Sequence, residues 1–256
     1  MRRLRSLFRA DGRTVVVAMD HGTGLDVLPA LNDTSSALKG IVEGGADAVL
    51  TSYGIAARFE EELAGTGLLL RIDGGNSMLS KNPAGNAVLA PMDGLRIGAD
   101  GCACMGFPGA ANEVETLSQV SRFAAEAHGL GMPLVAEMLP GGFGPEPAKS
   151  VENVRLAARI GAECGADIIK TLFVGSEKEF RTVIEGCFRP VIVLGGEKSA
   201  ELGGLLLIVE RAMAAGAAGV AIGRNVWKHP DPRSVTQALV DIVHGGKKAS
   251  ETGRNL

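Results

Sequence analysis

Short apolar segments recur along this chain and alternate with longer segments whose apolar residues are spaced as on one face of a helix. The short segments are rich in valine, isoleucine and leucine, which is typical of buried parallel strands. Eight segments qualify as strands: 14–19, 48–50, 68–72, 102–105, 133–138, 166–174, 190–194 and 220–222. The clearest helical segments between them are 113–129, 151–163 and 205–215. Alternation of eight strands with helices predicts an α/β fold, a single-domain (β/α)8 TIM barrel.

A short phrase marks the change from helix to strand at four places. An alanine and then an apolar segment follow each of four glycines: Gly45, Gly98, Gly165 and Gly216. An aspartate follows the alanine at the first three of these places. Because glycine often ends a helix, each phrase predicts a helix that leads directly into a strand. A doubly wound open sheet is the alternative, but no Gly-x-Gly-x-x-Gly turn follows the first strand.

The amino-acid composition argues against nucleic acid as a binding partner and against a membrane-spanning segment. The 256 residues are 46% hydrophobic and only 4% aromatic, and 36 of them are glycine, which suits an α/β protein packed with aliphatic side chains. A net charge of −3 gives no electrostatic basis for binding nucleic acid, and no apolar run is long enough to span a membrane. The four cysteines lack zinc-site spacing and are expected to be reduced thiols of a cytoplasmic protein.

No linker or low-complexity run divides the chain, so residues 1–256 are predicted to form one domain. Within the N-terminal residues 1–13, residues 1–9 are basic and amphipathic, as in a targeting or membrane-surface segment, but they lack an apolar signal core. A short helix that caps one end of the domain is therefore favoured there. Residues 245–256 are predicted to be a polar tail.

A lysine interrupts the sixth predicted strand. Lys170 has the side-chain parity of Ile168 and Leu172, so it is expected to point into the core. A buried ammonium group is costly unless it is paired or loses its proton, and a neutral amine attacks carbonyl carbons. The structural alternative is a lysine near the strand end whose ammonium group reaches water.

Polar residues follow the carboxyl ends of six predicted strands, and in a TIM barrel these ends meet where the chemistry takes place. Asp20 and His21 suit an acid/base pair, a metal site or a hydrogen-bonded turn, and the absence of other histidines near strand ends disfavours a metal. Glu137 in the fifth strand is expected to lie near Lys170, where burial would raise its pKa into a useful acid/base range. The alternative is a glutamate on the outer, helix-facing side.

The loops after the seventh and eighth strands often bind phosphate in this fold, because glycine N–H groups face the anion there. Gly195 and Gly196 follow the seventh strand, and Gly223 and Arg224 follow the eighth. Phosphate binding is the favoured interpretation, and ordinary strand-to-helix turns are the alternative. Further candidates for substrate contacts are His21, Arg71, Asn76, Ser77 and Lys198.

Four motifs, at 18–22, 168–171, 193–198 and 219–227, resemble the archaeal-type class I fructose-bisphosphate aldolases. That group includes the aminodideoxyheptulosonate synthases and the phospho-autoinducer-2 thiolases. The resemblance covers most of the chain and implies a TIM barrel with a Schiff base on Lys170 and with no metal or other cofactor. It also implies that Asp20 contacts substrate hydroxyl groups, that the two glycine turns and Arg224 hold a phosphate, and that the chain forms a homo-oligomer, with decamers among its relatives.

One position departs from these relatives. Those of the fructose-bisphosphate and heptulosonate type carry a tyrosine proton donor two residues beyond the Glu137 position, where this chain has Leu139. The only tyrosine of the chain is Tyr53, at the end of the second strand. At the Glu137 position the chain instead resembles tagatose-bisphosphate aldolase, which uses a glutamate. Glu137 is therefore the candidate acid/base.

These observations favour a class I aldolase that cleaves or forms a C–C bond of a phosphorylated ketose, with a ketone resembling dihydroxyacetone phosphate and an aldehyde as products. In this hypothesis the catalytic residues are Lys170, Glu137 and Asp20. The first alternative is a Schiff-base acyl or ketol transferase of the autoinducer-2 thiolase or heptulosonate synthase type, which needs a second substrate. The second alternative is a barrel that binds sugar phosphates without catalysis.

Overall fold

Eight parallel strands form a closed barrel in the computed structural model, which describes residues 2–21, 31–74, 86–143, 148–195 and 202–252. A short antiparallel hairpin lies beside the barrel sheet. The strands in chain order are β1 (Thr14–Met19), β2 (Ala48–Thr51), β3 (Gly67–Arg71), the hairpin strands β4 (Asp73–Gly74) and β5 (Asn86–Ala87), β6 (Gly101–Gly106), β7 (Leu134–Met138), β8 (Ile168–Leu172), β9 (Val191–Leu194) and β10 (Gly219–Ile222). Successive barrel strands pair with one another, and β10 pairs with β1 to close the barrel.

A 3-10 helix precedes β1, and the α-helices follow the strands along the chain. The helices are the 3-10 helix (Arg2–Ser6), α1 (Thr34–Glu43), α2 (Tyr53–Arg58), α3 (Pro91–Arg96), α4 (Glu113–Gly129), α5 (Val151–Glu163), α6 (Glu177–Gly186), α7 (Leu202–Ala215), α8 (Arg224–Trp227), α9 (Pro232–Val243) and α10 (Ala249–Thr252). The prediction of a single-domain (β/α)8 TIM barrel is confirmed. None of the described helices is long and apolar enough to cross a membrane.

The barrel interior holds its own apolar layer, which includes the inward-facing residues Leu69, Val135 and Ile168. Leu7 follows the 3-10 helix, is 1% exposed, and packs against this layer. Because side chains alternate along a strand, the next inward positions are Arg71, Glu137 and Lys170. The carboxyl ends of the strands form the mouth of the barrel, and charged groups therefore replace apolar ones towards that mouth.

The aspartates of the repeated phrase fasten neighbouring strands at their amino ends. In each of three pairs the aspartate carboxylate accepts a backbone N–H: Asp47 from Val15 at 2.7 Å, Asp100 from Leu68 at 3.0 Å and Asp167 from Leu134 at 2.9 Å. The aspartate N–H donates back to the carbonyl of the same residue in every pair. The glycines two positions earlier have φ between 80° and 101°, which glycine adopts at little cost. We call these two-way contacts the aspartate clasps.

Candidate active site

Lys170 and Glu137 occupy paired positions on the neighbouring strands β8 and β7. Both side chains point into the barrel near its mouth, and Lys170 is only 5% exposed. Lys170 Nζ lies 2.9 Å from Glu137 Oε2, so the two buried charges compensate each other. The structure thus contains neither an ammonium group open to water nor an outward-facing glutamate at these positions.

Arg71, at the end of β3, connects this pair to two further carboxylates. Its Nη2 lies 2.5 Å from Glu137 Oε2, and its Nε lies 2.7 Å from Asp20 Oδ2. Its Nη1 lies 3.4 Å from Asp73 Oδ1. From the sequence, Arg71 is expected only to contact the far end of a substrate, and Asp73 has no assigned role. The inward orientation of Arg71 and Asp73 could have been predicted, since both residues share strand parity with the inward-facing Leu69.

Glu137 and Asp20 are ionised at neutral pH. Burial raises the pKa of Glu137, but the nearby charges of Lys170 and Arg71 outweigh this effect and hold that pKa below its usual value. The expectation that burial would leave Glu137 with a raised pKa is therefore wrong. Burial also raises the pKa of Asp20, but the charge and hydrogen bond of Arg71, together with the charge of Lys170, hold that pKa well below its usual value. Both carboxylates are proton acceptors as the site stands.

Asp73 differs from these two carboxylates. Its Oδ2 accepts the Met105 N–H at 2.7 Å, while its Oδ1 is at the longer distance of 3.4 Å from Arg71. Burial raises the pKa of Asp73, and the Arg71 charge does not offset that effect. Asp73 therefore connects β4 to β6 and also contacts the Arg71 guanidinium at its Nη1 atom.

His21 lies beside Asp20, with 3.5 Å between His21 Nδ1 and Asp20 Oδ1. Its ring packs edge to face on Trp227, with centroids 5.6 Å apart, and Trp227 Nε1 donates to the Ala18 carbonyl at 3.0 Å. Burial lowers the pKa of His21, so its imidazole is neutral at pH 7. A neutral imidazole offers one donor and one acceptor to a substrate.

The predicted phosphate-binding residues meet at the ends of two adjacent strands. Gly195 follows β9, and Gly223 separates β10 from α8. A Cβ on Gly223 would lie 2.4 Å from His21 Cε1, so Gly223 has no room for a side chain, and one on Gly195 would be in tight contact with Ile222 Cγ2 at 3.2 Å. Arg224 is partly exposed at the start of α8. Four candidate residues lie outside the described residues: Asn76, Ser77, Gly196 and Lys198.

Neither Leu139, which stands where the relatives have a tyrosine, nor Tyr53, the only tyrosine of the chain, takes the place of Glu137. Leu139 is buried directly after β7, and Tyr53 is 44% exposed at the start of α2. Two strands, β3 and β6, separate the strand before Tyr53 from the strand that carries Glu137. Among the residues that the structure describes, no group of three or more His, Cys, Asp or Glu side chains is arranged to hold a metal ion.

Comparison with known proteins identifies the family. The sequence model of the DeoC/LacD family aldolases matches residues 14–229. The chain belongs to this family. It is 32% identical to 2-amino-3,7-dideoxy-D-threo-hept-6-ulosonate synthase of Halobacterium salinarum, over 91% of this chain and 88% of that protein. It is 29% identical to the class 1 fructose-bisphosphate aldolase of Thermoproteus tenax, over 96% of this chain and 95% of that protein.

A solved structure supports the same placement of this DeoC/LacD family aldolase. An archaeal fructose-1,6-bisphosphate aldolase, with its catalytic lysine covalently bound to the carbinolamine intermediate of the substrate, matches with a TM-score of 0.86. The two sequences are 27% identical, and the match covers 95% of this chain and 99% of that one. The resemblance to class I, Schiff-base aldolases is confirmed, while the relatives carry the names of different activities.

Proposed function

We propose that this aldolase cleaves or forms a C–C bond of a phosphorylated ketose through a Schiff base on Lys170. The observation that carries the proposal is the 2.9 Å contact between Lys170 Nζ and Glu137 Oε2 inside the barrel mouth. An amine attacks a carbonyl carbon only after it has lost its proton. Glu137 is an ionised acceptor within hydrogen-bonding distance of that proton.

The protons that move during Schiff-base formation then have a defined route. A proton moves from Lys170 to Glu137, and the amine adds to the ketose carbonyl to give a carbinolamine. Glu137 returns the proton to the new hydroxyl group, which leaves as water, and the resulting iminium accepts the electrons of the scissile C–C bond. A carboxylate removes the proton from the hydroxyl group beyond that bond, and the aldehyde leaves. The remaining enamine is protonated and hydrolysed to the ketone and free Lys170.

Asp20 is the second acid/base candidate. It is ionised, and its Oδ2 is held 2.7 Å from Arg71 Nε at the same mouth as Lys170. A carboxylate in this position suits contacts with the hydroxyl groups of a sugar chain, including the group that loses its proton in cleavage. Each positioned acid or base typically contributes about 10²–10⁴-fold to the rate.

The glycines and Arg224 supply the phosphate side of the site. Gly195 and Gly223 follow the adjacent strands β9 and β10, where backbone N–H groups can face an anion, and Arg224 adds a guanidinium suited to phosphate oxygens. The neutral His21 lies in contact distance of the Gly223 position and can donate one hydrogen bond to the same group. Binding of the phosphate would fix the carbonyl carbon relative to Lys170, which is the positional part of catalysis.

Borohydride reduction tests the proposal. A panel of ketose phosphates, with dihydroxyacetone phosphate as the product-side probe, is incubated with the protein and reduced, and the modified residue is located by peptide mass spectrometry. We expect irreversible addition at Lys170, no addition in Lys170→Ala, and full addition in Lys178→Ala, which removes an exposed lysine of α6. An unmodified Lys170, or full activity of Lys170→Ala, would exclude the mechanism.

A transferase is the second candidate, favoured by the 32% identity to a heptulosonate synthase. Such an enzyme keeps the Schiff base but passes the ketone-derived fragment to a second substrate. The two candidates differ in what turnover requires. If carbonyl products appear from a single ketose phosphate, the aldolase is correct; if product forms only when an acceptor is added, the transferase is correct.

A further inference from the structure

Arg71 is a buried cation to which the reaction described above gives no task. It is 9% exposed, and its guanidinium contacts carboxylates from three separate parts of the chain: Asp20 after β1, Asp73 in β4 and Glu137 in β7. Two of these carboxylates are the proposed acid/base groups. A cation that holds both of them controls where each one points.

The geometry of the guanidinium places these two groups next to each other. The Nε–H and one Nη2–H of an arginine are parallel, and they commonly bind both oxygens of a single carboxylate. In this site each of them binds a different carboxylate, Asp20 at 2.7 Å and Glu137 at 2.5 Å. One edge of Arg71 therefore sets two carboxyl groups side by side. Asp73, itself held by the Met105 N–H, contacts Nη1 on the other side.

Glu137 Oε2 is shared between two cations. It lies 2.5 Å from Arg71 Nη2 and 2.9 Å from Lys170 Nζ, so the oxygen that contacts Lys170 is also held by Arg71. Two adjacent carboxylates repel each other, and without a cation between them one takes up a proton or turns away. The arrangement at the mouth therefore depends on Arg71.

We propose that Arg71 is a positioning residue, which holds Glu137 towards Lys170 and Asp20 towards the substrate hydroxyl groups. The inference rests on the proposed function and deepens it. It requires the shape of the guanidinium and not its charge alone, because an ammonium group lacks the pair of parallel N–H groups. Arg71→Lys is therefore the decisive variant, since it keeps a positive charge among the three carboxylates.

The assay uses the full chain and dihydroxyacetone phosphate in D₂O. Exchange of a carbon-bound proton beside the carbonyl, followed by NMR, reports enamine protonation without any aldehyde. In Arg71→Lys we expect exchange to slow about a hundredfold, as for a misplaced catalytic group, while borohydride still traps dihydroxyacetone phosphate at Lys170. In Arg71→Ala we expect partial recovery on addition of guanidinium ion.

The pH dependence separates positioning from a general structural role. Removing the Arg71 charge raises the pKa of Glu137, so the acid limb of the exchange profile should move to higher pH in Arg71→Ala. Arg96→Ala, which removes an exposed arginine of α3, is the control and should leave rate and profile unchanged.

The outcomes distinguish failure of the Arg71 positioning role from failure of the Schiff base on Lys170. A wild-type rate and pH profile in Arg71→Lys would overturn the positioning role while the Schiff base on Lys170 stands. If Arg71→Ala folds and does not respond to guanidinium ion, the positioning role is also overturned; if it does not fold, Arg71→Lys alone decides. If the unmodified protein is not trapped at Lys170, the proposed function fails, and this inference fails with it.

Discussion

Glu137 and Lys170 are partners in the register of β7 and β8, and their charged atoms lie 2.9 Å apart. Neighbouring strands are about 4.8 Å apart, so the backbone alone brings two inward-facing side chains at paired positions within reach of each other. The contact between the amine and its proton acceptor therefore depends on the wall of the barrel and not on a loop.

Replacing the Glu137 carboxylate with an amide should remove the proton acceptor without emptying the site. For Glu137→Gln we expect kcat to fall about a hundredfold or more, because an amide cannot take the Lys170 proton. The rate of borohydride trapping should fall as well, which stopped-flow mixing and mass spectrometry measure. Glu152→Gln, on the exposed face of α5, is the matched control. A Glu137→Gln variant with the wild-type trapping rate would show that another group deprotonates Lys170.

Asp20 and Asp73 should respond in opposite directions to loss of charge. The pKa of Asp20 is lowered in the fold, so its ionised form stabilises the native state, and Asp20→Asn should cost about 1–3 kcal/mol. The pKa of Asp73 is raised, so its ionised form is disfavoured, and Asp73→Asn should be as stable as the wild type or more stable. Urea unfolding at pH 7 compares the two variants. Equal losses in both would contradict the assignment.

The fold is readable from the sequence because its signals are local. Helices α4 and α5 have the predicted bounds, and β1 does as well, since each is defined by apolar spacing and a nearby glycine or proline. Strand parity also predicts an inward-facing Lys170, whereas for Glu137 it leaves both faces of the strand open, because both faces of a buried parallel strand are apolar. These inferences need only the residues a few positions away.

The charge state of the site could not be predicted from residues that are close together in the sequence. The pKa of Glu137 is lowered first by Lys170 and then by Arg71, which lies 66 positions earlier in the chain and meets Glu137 only once the barrel is closed. Burial, the effect considered from the sequence, does act on Glu137, but two cations outweigh it. The parity rule that places Lys170 also places Arg71 inside, so applying it to every charged strand residue would have found the network.

Acid should weaken the fold through the paired carboxylates. The folded-state pKa values of Asp20 and Glu137 lie below their ordinary values of about 3.9 and 4.3. Their stabilising effect is therefore complete above about pH 5 and is lost as the pH falls through the folded-state values. Unfolding free energies measured in urea between pH 7 and pH 3 should decline, and less so in Glu137→Gln. An identical decline in that variant would exclude Glu137 as a source of the loss.

Gly223 should not tolerate a side chain. A Cβ there would lie 2.4 Å from His21 Cε1 and 2.5 Å from the Ala18 carbonyl oxygen, so Gly223→Ala must displace His21. We expect a loss of about 1–3 kcal/mol in stability and a raised KM for phosphorylated ketoses. Gly203 in α7 has no atom within 4 Å of a Cβ, and Gly203→Ala should stabilise the helix by about 0.5–1 kcal/mol. Thermal unfolding and steady-state kinetics of both variants provide the comparison.

The aspartate clasps reveal how the barrel subdivides. They join β1 to β2, β3 to β6 and β7 to β8, so they occur at three of the four alternate strand interfaces. The remaining pair, β9 and β10, has Ala218 at the equivalent position, and the Ala218 carbonyl accepts the Thr14 N–H at 3.0 Å where the barrel closes. The chain is thus a succession of four two-strand modules. A split between modules, such as the one between β8 and β9, leaves every clasp within a single fragment, which makes it the natural boundary for fragment complementation or circular permutation.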